Sequence, residues 1–247
     1  MKRSVQIAVL LSLAIGSSIA SAQTAAQFTK ANQEYAAEDF NAAINDYEEL
    51  MRGGQDTPNL FYNLGNAYFR KKDFGRAVLN YQRALALDPH HPEAQANLRI
   101  ARDDARALEL APTKLELWLG FATSNQYSVA AAIAFWVCVF CIAALIFSRR
   151  RGRGLIALSI LSLSISAIAI FAVWTLSCGK DAATLAVVIA ENADARLATA
   201  DNANRVLTLP AGSEIHILSQ RGDWIYAALP NNLRGWLPAK SAEHVRL

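Results

Sequence analysis

The sequence has few cysteines, little charge and no domain-sized excess of basic residues. Its three cysteines, Cys138, Cys141 and Cys178, leave the polar segments of the chain without a disulfide framework. Only 18% of the residues are charged, and the net charge of +3 comes from short basic clusters beside apolar segments. Nucleic-acid binding requires a basic face, so we expect no nucleic-acid partner.

Histidine is also scarce, and no group of residues has the spacing of a metal site or a catalytic centre. The four histidines form no ligand set. The adjacent carboxylates Asp103 and Asp104 diverge by about 100° on a helix, so they cannot flank one reacting bond. The sequence therefore predicts a protein with no metal, no cofactor and no enzymatic activity.

The N-terminus has the pattern of a signal peptide over residues 1–22. Lys2 and Arg3 precede an apolar run, and Ala20-Ser21-Ala22 has the small-residue pattern of a cleavage site. The alternative is an uncleaved anchor helix. With cleavage, the mature chain begins at Gln23 outside the cytoplasm.

Two apolar stretches, 128–148 and 155–176, predict membrane-spanning helices. Each is long enough, at 1.5 Å per residue, to cross a hydrocarbon core of about 30 Å. Four of the six residues in the loop 149–154 are arginines, and basic residues beside a span remain in the cytoplasm. We therefore expect the polar segments before and after the two spans to lie on the same extracytoplasmic side.

Small side chains inside these spans are candidates for helix packing. Ser159, Ser162 and Ser166 recur at helical spacing, and the alternatives are contact with the Ala-rich first span or with another membrane protein. Cys138 and Cys141 have the spacing of a redox pair. They lie in an apolar helix, however, where cysteine behaves as a small apolar residue.

A repeat of 34 residues occupies the segment 23–110. Such a fixed period indicates stacked supersecondary units. The second unit resembles the tetratricopeptide repeat at Leu64, Gly65, Tyr68, Ala77, Tyr81, Ala84 and Pro89. The resemblance implies an all-α solenoid with units at 24–57 and 58–91, followed by a capping helix over 92–110.

Two aromatic residues and an asparagine recur at spacing i, i+4 and i+7 in both units, which places them on one helical face. They are Phe28, Asn32 and Tyr35 in the first unit and Tyr62, Asn66 and Phe69 in the second. By resemblance to the repeat family, these residues and Arg70 line a concave groove that holds a peptide. The alternative is that the aromatic side chains only complete the core of a short array.

Residues 183–247 have the pattern of a small all-β domain. Short apolar runs are separated by turn signals, and they predict strands over 185–190, 206–209, 214–218, 224–229 and 234–237. About 65 residues is near the lower limit for independent folding, which a closed barrel suits. Leu209-Pro210-Ala211-Gly212, Gly235-Trp236 and Ala195-Arg196-Leu197 resemble the bacterial SH3-like domain, which implies a small barrel.

Three aromatic residues of this segment, Trp224, Tyr226 and Trp236, form the expected rim of the barrel. In the functional interpretation this rim binds a peptide or a cell-wall stem peptide. The alternative is that the two tryptophans only pack in the core or at the rim.

The order of these parts resembles the BatE type of Bat aerotolerance proteins over nearly the whole mature chain. That order is a signal peptide, repeats, a Trp-bearing juxtamembrane linker over 111–127, a two-helix transmembrane hairpin and an SH3-like domain. The resemblance implies a two-pass protein of the bacterial inner membrane with its repeats and its SH3-like domain on the periplasmic side. Its implied partners include membrane von Willebrand A-domain proteins and a MoxR-type ATPase.

The leading interpretation is therefore a multi-domain membrane protein that acts as a non-enzymatic scaffold. It presents two extracytoplasmic protein-binding modules within an envelope stress or aerotolerance complex. The alternative is a peptidoglycan-binding cell-wall sensor or targeting protein that acts through its SH3-like domain.

Overall fold

The computed structural model describes residues 23–110, 114–147, 152–178 and 184–246. These residues divide into two compact units. One combines the chain up to Leu110 with the chain from Leu185 onward, and the other lies within Ala111–Thr184. The expected signal peptide, residues 1–22, and residues 149–151 of the arginine-rich loop lie outside the described residues.

The first unit begins with five helices that follow the 34-residue period. They are α1 over 23–36, α2 (Phe40–Arg52), α3 (Pro58–Arg70), α4 (Phe74–Leu87) and α5 (Pro92–Ala105). Asp39 and Asp73, which are 34 residues apart, cap α2 and α4 by accepting hydrogen bonds from the backbone N–H groups of Ala42 and Arg76. The sequence repeat is thus also a repeat of the local hydrogen bonds that begin the helices.

The helical core depends on a close approach between α3 and α4 at Gly65. A Cβ atom at this position would lie 2.7 Å from ring carbons of Tyr81, so the helices can approach this closely only without a side chain there. Tyr81 and Tyr47, its counterpart one unit earlier, are fully buried. The two helices of the second repeat therefore touch at Gly65.

The C-terminal sheet of this unit contains seven antiparallel strands. They are β1 (Leu185–Val188), β2 (Asn192–Arg196), β3 (Arg205–Pro210), β4 (Glu214–Arg221), β5 (Trp224–Ala228), β6 (Arg234–Pro238) and β7 (Ala242–His244). Their order in the sheet is β3-β2-β6-β5-β4-β1-β7. Side chains alternate along β5 and β6, so Ile225, Ala227 and Leu237 are buried on one face.

The expected closed barrel is wrong, because the sheet is open. Within the described residues β3 and β7 form its two edges and do not pair with each other. Closure was expected because a short β segment on its own buries little apolar surface. Here the helices complete the core instead, since Val187 of β1 and Val245 are buried in the same cluster as Tyr47 and Leu64.

The helices and the sheet of this unit meet at α4 and β1. A Cβ atom on Gly75 of α4 would lie 2.9 Å from the Cα of Ile189, so backbone packs closely against backbone here. Val78 and Leu79, in the next turn of α4, are fully buried. The two polar segments, which are far apart in the sequence, therefore form one compact unit.

The second unit contains α6 (Lys114–Leu119), α7 (Ser124–Phe147) and α8 (Arg153–Cys178). Ser124–Phe147 and Arg153–Leu176 are each long and apolar enough to span a membrane. α7 begins earlier than the apolar run predicts because Thr123 and Gln126 cap it reciprocally: the N–H of each residue donates to the side-chain oxygen of the other.

Small side chains line the contact between α7 and α8. The hydroxyl of Ser166 donates to the carbonyl oxygen of Ala131 at 3.2 Å, and Ser162 is also buried. Cys138 and Cys141 are buried free thiols on α7. Large apolar side chains on the same helices, such as Phe140 and Ile168, are mostly exposed. The serines therefore contribute to packing within the hairpin.

Candidate functional site

The predicted groove residues, which we call the groove set, lie on two neighbouring helices of the compact unit that contains the repeats and the sheet. α1 carries Phe28, Asn32 and Tyr35, and α3 carries Tyr62, Asn66, Phe69 and Arg70. A hydrogen bond of 2.9 Å from the Asn63 amide nitrogen to the Asn32 amide oxygen joins the two helices. Arg70 is exposed, and the other six side chains are partly buried.

Each asparagine of the set holds two elements together. The Asn32 oxygen accepts from the Tyr47 hydroxyl at 2.6 Å and from Asn63, and the Asn66 oxygen accepts from the Tyr81 hydroxyl and from Asn97, each at 2.8 Å. One donor comes from the second helix of the same unit and the other from the first helix of the next. These bonds form a ladder, which we call the asparagine ladder, and it uses both lone pairs of each oxygen.

Burial keeps the phenols of the ladder in their donating form. It raises the pKa of Tyr47 to about 12, and it raises the pKa of Tyr81 as well. Both hydroxyls therefore remain protonated at neutral pH and donate to the asparagine oxygens. The ladder depends on no titration in the physiological range.

The aromatic residues of the set pack in pairs that also repeat. The ring of Phe28 lies 5.9 Å from that of Tyr47, and Tyr35 lies edge-on to Phe40 at 5.4 Å. The corresponding pairs one unit later are Tyr62 with Tyr81 at 6.2 Å and Phe69 with Phe74 at 5.6 Å. The set thus contributes to the core and keeps part of its aromatic surface in solvent.

Arg70, in the second repeat, contacts the turn between α1 and α2 of the first repeat. Its guanidinium carbon lies 4.7 Å from the centre of the Phe40 ring, and one nitrogen lies 3.4 Å from the Glu38 carboxylate. Both side chains of this ion pair are largely exposed, so it adds little to stability. Its main effect is to place a cation beside the Tyr35–Phe40 pair.

The three aromatic residues expected at the barrel rim lie on the outer face of the C-terminal sheet. Tyr226 of β5 pairs with Trp236 of β6, and their ring centres are 5.0 Å apart. Trp224 lies opposite Pro238 on the same two strands. All three side chains are partly exposed. Among the described residues, no ring contact or hydrogen bond connects this aromatic group with the groove set.

No metal site accompanies either surface in the part of the chain that the structure describes. There, no three side chains of histidine, cysteine, aspartate or glutamate lie close enough together to hold an ion.

Comparison with known protein families supports the assignment of a tetratricopeptide repeat in the helical segment. The tetratricopeptide repeat model matches residues 58–91. This segment contains α3 and α4, with the close contact at Gly65 and one step of the asparagine ladder. No match to the chain was found among curated proteins. The tetratricopeptide repeat is a non-catalytic protein-interaction fold, and its presence implies protein partners.

Sequence reasoning missed the polar residues that fix the tetratricopeptide repeat against the sheet. Gln82 of α4 and Arg102 of α5 both donate to the same carboxylate oxygen of Glu214. Arg83 donates to the backbone carbonyl of His244 at 3.1 Å and pairs with Glu243 at 3.4 Å. We call these contacts the helix–sheet junction.

Buried polar side chains mark this junction on α4. Asn80 and Arg83 are polar, yet they are only 2% and 6% exposed. Burial lowers the pKa of Arg83, while the neighbouring Glu243 acts in the opposite direction. The partners of Arg83 in the sheet are about 160 residues further along the chain, so spacing within the repeat could not identify them.

Proposed function

We propose that the protein is a non-enzymatic membrane scaffold that binds protein partners through the groove set on α1 and α3. The observation that carries this proposal is the repetition of one surface, an asparagine between two partly exposed aromatic residues, in both units. Stacked helical repeats bind partners along such extended surfaces. The family match to residues 58–91 supports the same class of function.

The groove set keeps one type of hydrogen-bond donor for a partner. The oxygens of Asn32 and Asn66 are used in the asparagine ladder. Their amide nitrogens donate no hydrogen bond to any residue that the structure describes. An extended peptide presents backbone carbonyl oxygens at regular intervals. Two equivalent amide donors on adjacent helices suit such a ligand, and the aromatic residues beside them supply apolar contact.

The two apolar helices and the order of the domains support a proposal for where the protein is located and which complex it joins. We propose that α7 and α8 cross the inner membrane of a bacterium, with loop 149–154 in the cytoplasm and the helix–sheet unit in the periplasm. The resemblance to BatE-type proteins favours membrane von Willebrand A-domain proteins as partners, within a Bat/MoxR-type complex of envelope stress or aerotolerance.

The second candidate function is peptidoglycan binding by the C-terminal sheet, as in an SH3-like domain of a cell-wall sensor. The adjacent, partly exposed rings of Tyr226 and Trp236 favour it. Sedimentation of the full-length protein with purified peptidoglycan distinguishes the two functions. The scaffold proposal expects the protein to remain in the supernatant, whereas the sensor function requires it to sediment.

The groove is tested by changing the amide donors and keeping the ladder. Asn32→Asp together with Asn66→Asp retains an oxygen that accepts from both ladder donors, but replaces each free NH₂ group by a carboxylate oxygen. We expect full-length protein with these changes to melt close to the wild type and to lose at least 90% of its co-purifying membrane partners. Quantitative mass spectrometry of crosslinked membranes measures this loss.

Asn45→Asp on the exposed surface of α2 is the control, since it makes the same substitution once and adds its negative charge away from the groove set. It should co-purify with partners as the wild type does. If the double variant folds normally and retains its partners, the groove assignment fails.

A further inference from the structure

The segment that joins α6 to α7 forms a fixed bend at one end of the two apolar helices. The hydroxyl of Tyr127 donates to the backbone carbonyl oxygen of Leu119 at 3.0 Å, and the ring centres of Phe121 and Tyr127 are 5.6 Å apart in an edge-on arrangement. The reciprocal cap of α7 follows this segment directly. These contacts tie α6 to the first turn of α7. We call residues 114–123 the elbow.

One side of the elbow packs on the hairpin of α7 and α8. Leu119 and Ala122 belong to the same apolar cluster as Tyr127 of α7 and Val173 and Leu176 of α8. The elbow therefore lies at the end of the hairpin where α7 begins and α8 ends. In the proposed topology this is the extracytoplasmic end.

The other side of the elbow is apolar and exposed. Trp118 and Phe121 are 81% and 83% exposed, and Leu115 and Leu117 are exposed as well. Trp174, near the end of α8, is also exposed at this end of the hairpin. Large apolar side chains grouped in this way are unfavourable in water, and such patches mark surfaces that another phase or molecule covers.

Two observations favour lipid as the cover. The elbow ends at residue 123 and the apolar helix begins at Ser124, so the exposed side chains are continuous with a surface that faces lipid in the proposed topology. In addition, two of the exposed side chains are Trp118 and Trp174. Tryptophan prefers the headgroup level of a bilayer, where its ring is in apolar surroundings and its N–H still finds a partner.

We propose that the elbow is an interfacial anchor. Leu117, Trp118 and Phe121 insert between the lipid headgroups and the upper acyl chains at the extracytoplasmic end of the hairpin, as interfacial segments do to a depth of about 5–10 Å. The inference rests on the proposed membrane location of α7 and α8 and goes beyond it, because a span by itself requires no anchor beside it. Since the elbow is bonded to α7, the anchor fixes the depth at which α7 enters the bilayer.

Spin labels on the full-length protein in proteoliposomes test the anchor. Molecular oxygen concentrates in lipid, a nickel chelate stays in water, and a label covered by protein collides with neither. Single labels are placed at Leu117→Cys, at Phe140→Cys as the lipid reference and at Gln95→Cys as the water reference, with the native cysteines replaced by serine. We expect the oxygen-to-nickel collision ratio at 117 to lie between those at 95 and 140, and at least twofold above that at 95.

Trp118→Ser together with Phe121→Ser tests whether these two side chains hold the elbow in lipid. We expect the collision ratio at 117 to fall to the value at 95, while the ratio at 140 stays unchanged. Leu218→Ser together with Leu233→Ser is the matched control, since it removes two exposed apolar side chains from the sheet. It should leave the ratio at 117 as in the wild type.

The anchor is refuted if the wild-type label at 117 has the ratio found at 95, because the elbow then lies in water. It is also refuted if this label collides with neither reagent, since a protein surface then covers the elbow, or if the double serine variant leaves the ratio at 117 unchanged. A water-like ratio at 140 would refute the proposed membrane location and the anchor with it, so the two failures are distinguishable.

Discussion

Gly65 shows how one missing side chain fixes the geometry of a helix pair. The ring of Tyr81 lies where a Cβ atom of residue 65 would be, and its hydroxyl is held by Asn66 on the same helix as Gly65. The ring therefore cannot turn away without breaking the asparagine ladder. Close packing at this point and the hydrogen bond beside it stabilise the same arrangement of α3 and α4.

Gly65→Leu should overpack this contact and destabilise the unit by about 1–3 kcal/mol. The melting temperature of the full-length protein in detergent, followed by circular dichroism, measures the loss. Ala96→Leu adds a leucine to the exposed surface of α5 and serves as the control, with a melting temperature near that of the wild type. An unchanged melting temperature for Gly65→Leu would mean that α3 and α4 do not touch there.

At the residue scale, the sequence predicts which residues share a helix face better than it predicts their hydrogen-bond partners. The spacing i, i+4 and i+7 places Asn32 and Asn66 at equivalent points of α1 and α3, as observed. Their ladder partners are 15 and 31 residues away, on other helices. A helical period describes which residues share a face of one helix. It contains nothing about which donor on a neighbouring helix reaches them.

At the scale of elements, α4 is the helix that connects the repeats with the sheet. It packs against α3 and α5 on the helical side and against β1 of the sheet. Eight of its fourteen residues are buried, a proportion that only a helix covered on several sides reaches. Asn80 and Arg83 are among these buried residues. Because they are polar, the sequence predicts that their face of α4 is exposed to solvent. The β segment that covers α4 lies about 100 residues later, and local pattern could not reveal that contact.

Glu214→Ala should loosen the helix–sheet junction. It removes the carboxylate that accepts from Gln82 and Arg102 and leaves Arg102, whose side chain is 15% exposed, with only the more distant Glu109. Loss of hydrogen bonds to a charged group costs about 1.5–3 kcal/mol. We expect a lower melting temperature and faster hydrogen exchange in β1 and α4.

Glu191→Ala provides the comparison, because Glu191 is an exposed glutamate of the same sheet region. It should leave both measurements unchanged. Equal exchange rates in β1 for Glu214→Ala and the wild type would show that the junction does not depend on this carboxylate.

For the whole molecule, the order of the helical repeats, the apolar helices and the β segment was predictable from the sequence pattern. The predicted spans at 128–148 and 155–176 lie within or close to the apolar helices Ser124–Phe147 and Arg153–Leu176. The strands predicted from apolar runs correspond to β1 and β3–β6. β2 was indicated only by the resemblance at Ala195-Arg196-Leu197, and the three-residue β7 was missed. The open form of the sheet was not predictable, since it depends on a helix supplied by another part of the chain.

The proposed topology places the helix–sheet unit outside the cytoplasm and Gly152 inside it. It is tested with single cysteines in a background where the native cysteines are replaced by serine. We expect a membrane-impermeant maleimide to label Gln95→Cys and Asn231→Cys on the outer side of intact inner-membrane preparations. Gly152→Cys should react only after permeabilisation. Labelling of Gly152→Cys without permeabilisation would reverse the assignment.

The contact between α4 and β1 also sets an order of events during biosynthesis. The ribosome completes α4 well before β1, and roughly 100 residues separate Leu87 from Leu185. At about 5–20 residues per second, their translation takes several seconds. During this interval Val78, Leu79 and the buried guanidinium of Arg83 have no sheet to cover them. The nascent helices must therefore stay soluble in an incomplete form until the last quarter of the protein emerges.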